Sequence, residues 1–362
     1  MSNDAPEVTI VCVPRERFDF SFTSLASLYE KTTLPFQFIY VDNALPRKVR
    51  TTLLQHADAR GFEVARAACP LSPNAARNLG LEHAKGRYIV FVDNDVVFDD
   101  HWLESLLACM KETKAMVAAP LVCQYAPYHT VVHCAGGEFM GPEQFEQFRQ
   151  EPLPKAKPSG QRERRWRMEE DIYLQNAPVE AVGTERREVG FVEFHCFMAD
   201  AVFLRAHGGF DPDLTATKEY VDLAMTVARA GGKVVLEPKS RVTFLTHPPQ
   251  PILKLSEIPY YMLRWSDAWE KESLTHLAAK WDLIEDDYFT NRYKRLGWRR
   301  RSELITPMAM PFQVFGKPFR KWVKRQLITV DKRVNAYVTR RHAARMVKLA
   351  KQQNGKPVVA RA

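Results

Sequence analysis

The feature that most constrains the fold of this chain is the segment YIVFVDND at residues 88–95. An apolar run of this length that ends abruptly in polar residues is typical of a fully buried strand in a parallel sheet. Asp93 and Asp95 then stand where the chain leaves the sheet, at the edge where open α/β sheets bind ligands. Two carboxylates this close repel each other unless a cation or a hydrogen-bond donor is shared between them. The pattern therefore predicts either a divalent-metal site with oxygen ligands or an ordinary acidic turn.

Strands and helices alternate through the first hundred residues. Buried-strand patterns occupy residues 8–13, 36–41 and 62–67, and helical patterns occupy residues 22–31, 47–61 and 74–85. This alternation at short spacing predicts right-handed crossovers and a parallel sheet, with Asp42 at the same edge as Asp93 and Asp95. Neither a G-x-G-x-x-G fingerprint nor a P-loop follows a strand, which disfavours dinucleotide and P-loop nucleotide binding.

The pattern changes in the second half of the chain. Residues 138–188 are rich in Pro, Gln, Arg and Glu with little periodicity, and we interpret them as a lid or an insertion. Strand patterns return at residues 190–199, 233–238 and 241–247, and a helix is predicted from residue 218 to the Gly231-Gly232 pair. Helical patterns dominate from Pro248 onward.

Charge and cysteine usage narrow the classes of protein further. The six cysteines form no C-x-x-C pair, which argues against a cysteine zinc site and a disulfide framework and favours a reducing cytoplasm. The chain has no apolar run near the roughly 18 residues needed to span a bilayer, and its first residues lack the pattern of a signal peptide. We therefore expect a cytoplasmic protein.

The basic charge is concentrated near the C-terminus. Residues 292–351 contain 18 Lys and Arg against two acids. After Pro318, apolar residues recur at three- and four-residue steps among them, which predicts a basic amphipathic helix. Such a helix is expected to contact the anionic inner face of the cell membrane, although a solvated helical hairpin packed on the preceding domain fits the same pattern.

Several linked motifs make residues 8–250 similar to the inverting family 2 glycosyltransferases. The resemblance rests on YVDN at 40–43, SPNAARNLG at 72–80, FVDND at 91–95, GGFD at 208–211 and EYVDL at 219–223. It implies the GT-A fold, an α/β fold with a Rossmann-like mixed sheet and helices on both faces. The implied organisation is a catalytic domain over residues 1–250 and a basic helical C-terminal extension over residues 251–362.

The resemblance also implies roles for individual residues. Asp42 would hydrogen-bond the base or ribose of a nucleotide-sugar, and Asp93 would contact the ribose or a metal-bound water. Asp95 would bind Mn²⁺ or Mg²⁺, which offsets the charge of a diphosphate leaving group. Further candidate donor contacts are Asn43, Asn74 and Arg77, of which Arg77 could equally brace its helix. Further metal ligands are Asp93 and His247, although His247 could also be a strand-end histidine bonded to the backbone.

The expected general base is where this sequence departs from the family pattern. Inversion needs one base to deprotonate the acceptor hydroxyl, and Tyr220 stands where relatives carry an acid. A phenol with an ordinary pKa of about 10 is a poor base near neutral pH. Glu219 is the first substitute and Asp222 the second, and Asp222 could instead be a helix first-turn acid. His195 is interpreted as a buried structural histidine.

The function predicted from these features is metal-assisted, inverting transfer of a sugar from a nucleotide-sugar, foremost a UDP-sugar, to a hydroxyl acceptor. The acceptor would be a glycan or a lipid-linked glycan, as in polysaccharide or glycolipid synthesis. The alternative is a basic nucleic-acid- or membrane-binding protein without catalysis, but the basic segment carries no nucleic-acid reading motif. A nucleotidyltransferase is disfavoured because residues 13–17 are not a glycine-rich phosphate loop.

Overall fold

A computed structural model describes residues 6–151, 165–245 and 253–352 of the chain. Its strands are β1 (Val8–Cys12), β2 (Phe36–Asp42), β3 (Glu63–Arg66), β4 (Tyr88–Val92), β5 (Val96–Phe98), β6 (Val117–Gln124), β7 (Val131–Cys134), β8 (Gly137–Glu138), β9 (Asp171–Ile172), β10 (Arg187–Glu188), β11 (Cys196–Asp200) and β12 (Val234–Phe244). Its α-helices are α1 (Ser21–Lys31), α2 (Arg47–Arg60), α3 (Pro73–His83), α4 (Trp102–Thr113), α5 (Pro142–Gln150), α6 (Ala201–Ala206), α7 (Glu219–Arg229), α8 (Ile258–Arg264), α9 (Asp267–Lys280), α10 (Asp287–Lys294), α11 (Trp298–Arg300), α12 (Thr306–Ala309) and α13 (Lys317–Gln352).

The strands form one large mixed sheet and a small second sheet of β8 and β9. The order across the large sheet is β3-β2-β1-β4-β11-β6-β12-β10, with β5 paired to β12 and β7 paired to β6. Strand β1 is parallel to β2 and β4, as the alternating pattern of the first hundred residues predicts. Strand β11 is inserted antiparallel between β4 and β6, which makes the sheet mixed.

The central strand β4 is buried on both faces of the sheet. Because successive side chains of a strand point to opposite faces, Val90 and Val92 join one core and Ile89 and Phe91 join the other. The first core is closed by helices α1 and α4, and the second is closed by α3, α6 and α7. Strand β4 therefore ends at a fixed point, and residues 93–95 leave the sheet at its carboxyl edge.

Two of the predicted segments have a different form in the structure. Residues 233–238 and 241–247, predicted as two strands, form the single strand β12 as far as Phe244, with a register shift between Glu237 and Arg241. This irregularity lets one strand continue past the interruption that separates the two sequence patterns.

In the 138–188 segment, α5 and the stretch from residue 165 onward contribute the buried Phe148 and Trp166 to a third core. The described part of that segment is thus a packed insertion.

The C-terminal extension shares this third core with the domain. Leu277 of α9 and Phe289 of α10 belong to the same buried cluster as Val221 and Met225 of α7. Polar contacts join the same parts, since Arg17 forms an ion pair with Glu303 at 2.8 Å. The predicted boundary at residue 250 lies between the described residues 245 and 253.

A buried arginine holds helix α13 to the rest of the extension. Arg300 is 1% exposed, and its Nη2 lies 3.0 Å from Asp331 Oδ2 on α13 and 2.8 Å from Asp267 Oδ1 on α9. Its Nη1 donates to the carbonyl oxygen of Trp265. A buried charge is tolerated only when it is paired and hydrogen-bonded, and these contacts meet that condition.

We predict that Asp331→Ala lowers the free energy of unfolding by about 3 kcal/mol, because it removes the α13 partner of a buried arginine. Urea unfolding followed by circular dichroism measures the change. The matched control is Asp58→Ala on the exposed surface of α2, which should stay within about 0.5 kcal/mol of wild type. Equal losses in the two variants would contradict the anchoring role of Arg300.

Candidate active site

A cleft of about 1000 Å³ opens at the carboxyl edge of the sheet. One wall comes from the domain and includes Asp95, Arg77 and Glu219, three residues singled out from the sequence. The opposite wall comes from helices α8 to α12 of the extension and includes Arg264 and Trp265. The extension is therefore part of the site.

The segment after β4 is held from both sides. The buried Asn94 accepts a hydrogen bond from the backbone N–H of Arg15 at 3.0 Å and donates one to Ser21 Oγ at 3.1 Å. Leu245, just after β12, donates its N–H to the carbonyl oxygen of Asp95 at 2.7 Å. These bonds set the direction in which the two aspartates project.

Asp93 is a buried carboxylate with two charged or polar partners. Its Oδ2 accepts hydrogen bonds from Arg15 Nη1 and His195 Nδ1, both at 3.1 Å. Burial by itself would raise the pKa of Asp93, but the positive charge of Arg15 and the bond from His195 hold it below its usual value. Asp93 is therefore ionised at neutral pH, and its Oδ2 is occupied as an acceptor.

The residues around Asp95 fit a divalent metal ion. One ligand atom each from Asp93, Asp95 and His195 lies within 4.8 Å of the other two. Carboxylates are hard oxygen donors that suit Mn²⁺ and Mg²⁺, whereas His195 Nδ1 is already occupied by its hydrogen bond to Asp93. The predicted ligand His247 lies outside the described residues.

Glu219 and Tyr220 begin helix α7 and face the cleft. Glu219 Oε1 is buried and lies 3.6 Å from Arg264 Nη2. The Tyr220 hydroxyl is bonded to Glu170 and lies 3.0 Å from Lys218 Nζ. Burial and the charge of Glu170 raise the pKa of Tyr220 well above its ordinary value, so the phenol stays protonated and donates to Glu170.

Asp222 is turned away from the cleft. It lines a smaller cavity of about 220 Å³ together with Asp211 and Lys280. Its carboxylate accepts a hydrogen bond from Trp281 Nε1 at 2.7 Å and forms an ion pair with Lys280 Nζ at 2.7 Å. Glu219 lines both cavities, whereas Asp222 lines only the smaller one and joins α7 to α9.

The predicted nucleotide contacts on β2 have partners within the chain. Asp42 is 1% exposed, and its carboxylate is bonded to Arg50 and lies 3.5 Å from Arg66 Nε. Asn43 is fully buried and holds the backbone of Leu71. Its Oδ1 accepts from the Leu71 N–H at 2.7 Å, and its Nδ2 donates to the Leu71 carbonyl oxygen at 3.0 Å. Neither side chain lines the cleft.

Asn74 and Arg77 on α3 act as a pair. Asn74 accepts a hydrogen bond from Arg77 Nη1 at 3.1 Å and donates one to the carbonyl oxygen of Asp211 at 2.8 Å. The Arg77 guanidinium lies over the ring of Phe194, 4.6 Å from its centre. Burial lowers the pKa of Arg77 to about 10, and the charge of Glu219 partly offsets this effect. Arg77 thus links the helix to the cleft wall.

Several cleft residues carry no signal in the sequence. Arg15 follows the first strand, His133 lies on β7 inside a weakly patterned region, and Glu193 precedes β11. Arg264 and Trp265 belong to a helical segment whose pattern indicates packing only. A local motif marks none of these five residues, because four separate segments bring them to the cleft.

Comparison with known proteins agrees with this architecture. Residues 17–157, less than half of the chain, match the family model described as Glycosyl transferase family 2. The matched segment contains Asp42, Arg77 and the Asp93–Asp95 turn but ends before Glu219. No curated protein sequence matches the chain.

A solved structure shares the fold. The crystal structure of GalNAc-T7 with UDP, GalNAc and Mn²⁺ superposes with a TM-score of 0.50 at 15% sequence identity, covering 82% of this chain and 54% of that one. The chain thus spans about half the length of that structure, and the likeness concerns the fold. The mixed sheet with helices on both faces is of the GT-A type, as predicted, followed by a C-terminal helical region. Together, the family-model match and the fold support a glycosyltransferase with GT-A architecture.

Proposed function

We propose that this protein transfers a sugar from a nucleotide-sugar, foremost a UDP-sugar, to a hydroxyl of a glycan or lipid-linked acceptor, with inversion at the anomeric carbon. The observation that carries the proposal is the single cleft lined by Asp95, Arg77 and Glu219. Asp95 can bind a cation, Arg77 supplies a positive charge, and Glu219 supplies a carboxylate. A metal-assisted, single-displacement transfer requires these three components.

Asp95 and Asp93 would hold Mn²⁺ or Mg²⁺, with the ion as a Lewis acid that offsets charge on the departing diphosphate. Arg15 would orient Asp93, since it already bonds that carboxylate at 3.1 Å. Arg77 would add positive charge beside the donor. Asp42, predicted as a contact to the base or ribose, is paired with Arg50 and does not line the cleft, so we assign it to holding the end of β2. We assign Asn43 and Asn74 to holding the loops around these residues.

Glu219 is the proposed general base. Its Oε1 accepts no hydrogen bond from the described residues, so a lone pair is free to take the proton of an acceptor hydroxyl. Arg264 Nη2 lies 3.6 Å from this oxygen and can hold the carboxylate in orientation. Tyr220 cannot serve, because its hydroxyl donates to Glu170. Asp222 is occupied by Lys280 and Trp281.

The donor and the metal can be identified together. We expect a panel of nucleotide-sugars with Mn²⁺ to reveal one preferred UDP-sugar, bound at least about tenfold more weakly after metal removal. Asp95→Asn should abolish this metal dependence, because the neutral amide is a much poorer ligand. Isothermal titration of UDP with and without Mn²⁺ measures both effects, and NMR of the product reports the anomeric configuration.

Two outcomes would contradict these assignments. Equal UDP affinity with and without metal in both proteins would exclude the metal role of Asp95. Retained anomeric configuration in the product would exclude inversion while leaving glycosyl transfer intact.

We predict that Glu219→Gln lowers kcat by about 10²–10⁴-fold while donor affinity changes little, because only the proton acceptor is lost. Asp222→Asn is the matched comparison on the same helix turn. It should lower the free energy of unfolding by about 1–3 kcal/mol, since its amide would meet the donors of Lys280 and Trp281, and leave kcat within about tenfold. If Asp222→Asn lowers kcat strongly and Glu219→Gln does not, Asp222 would be the general base instead of Glu219.

The extension carries a surface suited to a membrane interface. Phe312, Phe315, Phe319 and Trp322 form an exposed aromatic group, with ring centres 5.5 Å apart between Phe315 and Phe319 and 5.7 Å apart between Phe319 and Trp322. Exposed lysines and arginines surround it, including Lys317, Lys321 and Arg325. Aromatic rings beside cationic side chains complement an anionic bilayer surface, so we propose peripheral binding at the inner face of the cell membrane. Among the described helices, none is both long and apolar enough to cross a bilayer.

We predict that the protein floats with phosphatidylglycerol-containing vesicles at low salt and much less with neutral vesicles. Replacement of Phe315, Phe319 and Trp322 by Ser should lower the bound fraction at least about tenfold, because the apolar insertion is lost. The control is Tyr337→Ser, an equally exposed aromatic farther along α13. Flotation of the triple variant at the wild-type level would exclude the aromatic group as the contact.

A further inference from the structure

A second group of metal-ligating side chains lies beside Asp93. Ligand atoms of His133, Glu193 and His195 lie within 4.8 Å of one another. Glu193 Oε2 is 2.7 Å from His133 Nε2 and 3.9 Å from His195 Nε2. The three residues come from β7 and from the segment that precedes β11, and all three line the cleft.

The hydrogen bonds around His195 determine which of its nitrogens is free. Its Nδ1 contacts Asp93 Oδ2 at 3.1 Å. Because the ionised carboxylate can only accept, Nδ1 carries the proton and donates. In this tautomer the Nε2 atom carries the lone pair and faces Glu193.

The same argument applies to His133. Gln124 Nε2 donates to the carbonyl oxygen of Val132 at 3.3 Å and to Asn176 Oδ1 at 2.8 Å, which directs Gln124 Oε1 toward His133. His133 Nδ1, 3.2 Å from that oxygen, must then be the protonated nitrogen. Its Nε2 also presents a lone pair toward Glu193.

Glu193 places its carboxylate between these two nitrogens. Its Oε2 is buried and receives no hydrogen bond of acceptable geometry from the described residues. A carboxylate oxygen 2.7 Å from an imidazole lone pair requires a positive charge between them. That charge is either a second proton on His133 or a metal ion.

We propose that His133 Nε2, His195 Nε2 and Glu193 Oε2 bind a divalent transition-metal ion of the Zn²⁺ or Co²⁺ type. Metal-bound histidines usually donate their other ring N–H to a carboxylate or an amide oxygen, and both rings here do so, through Asp93 and Gln124. Two nitrogens and one oxygen favour such an ion over Mg²⁺ or Ca²⁺.

This site is distinct from the proposed one at Asp95. His195 donates its Nδ1–H to Asp93 and directs Nε2 to Glu193, so the ring is a ligand only at the second site. Phe244 closes the second site from behind, with its ring centre 4.5 Å from that of His133 and 4.6 Å from that of His195. An apolar wall on one side and the cleft on the other leave open coordination positions toward bound substrate.

Titration of the metal-stripped full chain with Co²⁺, in the absence of any nucleotide, tests the proposal. Wild type should bind one ion with the visible absorption of a low-symmetry nitrogen–oxygen site. His133→Gln and Glu193→Gln should each weaken Co²⁺ binding at least about 100-fold, and Gln124→Leu about tenfold through the orientation of His133. Melting curves establish that each variant is folded.

Two controls separate this site from other histidines and from Asp95. His83→Gln removes a histidine that pairs with Glu63 at the far edge of the sheet and should bind Co²⁺ as wild type does. Asp95→Asn should also retain the ion. Unchanged Co²⁺ binding in His133→Gln would overturn the proposal. So would complete loss of binding in Asp95→Asn together with no loss in Glu193→Gln. A wild type that binds no Co²⁺ would also overturn it and would assign the positive charge to a proton. Since no donor is present, these results are independent of the proposed glycosyl transfer.

Discussion

The buried carboxylate of Asp93 is the constraint on which the site depends. An ionised group 2% exposed is stable only with charged or hydrogen-bonding partners, and Asp93 has Arg15 and His195. Arg15 ties the end of β1 to the end of β4, and His195 ties the start of β11 to the same point. Because Asp93 accepts a hydrogen bond from His195 Nδ1, it also determines that Nε2 is the nitrogen that can bind a ligand. One carboxylate thus determines the roles of both ring nitrogens.

The cleft is completed by a part of the chain that lies beyond the mixed sheet. Arg264 approaches Glu219, and Trp265 lies against Arg264 with 4.4 Å between the guanidinium carbon and the ring centre. The buried Arg300 network holds α13 and α9 to this segment. A sheet edge without the extension would leave Glu219 facing water and an acceptor poorly oriented. The extension therefore belongs to the catalytic proposal as much as the sheet does.

Most of the sheet and part of the site could be predicted from residue patterns. Strand β4 is recognisable because it is buried on both faces and its apolar run ends at Asp93. Asp95 and Glu219 were identified because their motifs are local in sequence. Asp222 follows Glu219 by three residues, yet its carboxylate pairs with Lys280, which no pattern within α7 indicates. Asp42 was predicted at the sheet edge, but its arginine partners in α2 and β3 could not be anticipated.

The sequence by itself determined the order of strands and helices, the position of the acidic turn and the uneven distribution of basic charge. These properties depend on burial periodicity and local residue types, which each segment carries independently of the others. Only the tertiary structure decided that His133, Glu193 and His195 meet, and that Arg264 approaches Glu219. Such contacts join segments far apart in the chain, and their geometry depends on strand order, register and helix packing. For that reason the acidic turn was visible in the sequence, whereas the histidine–glutamate group beside it was not.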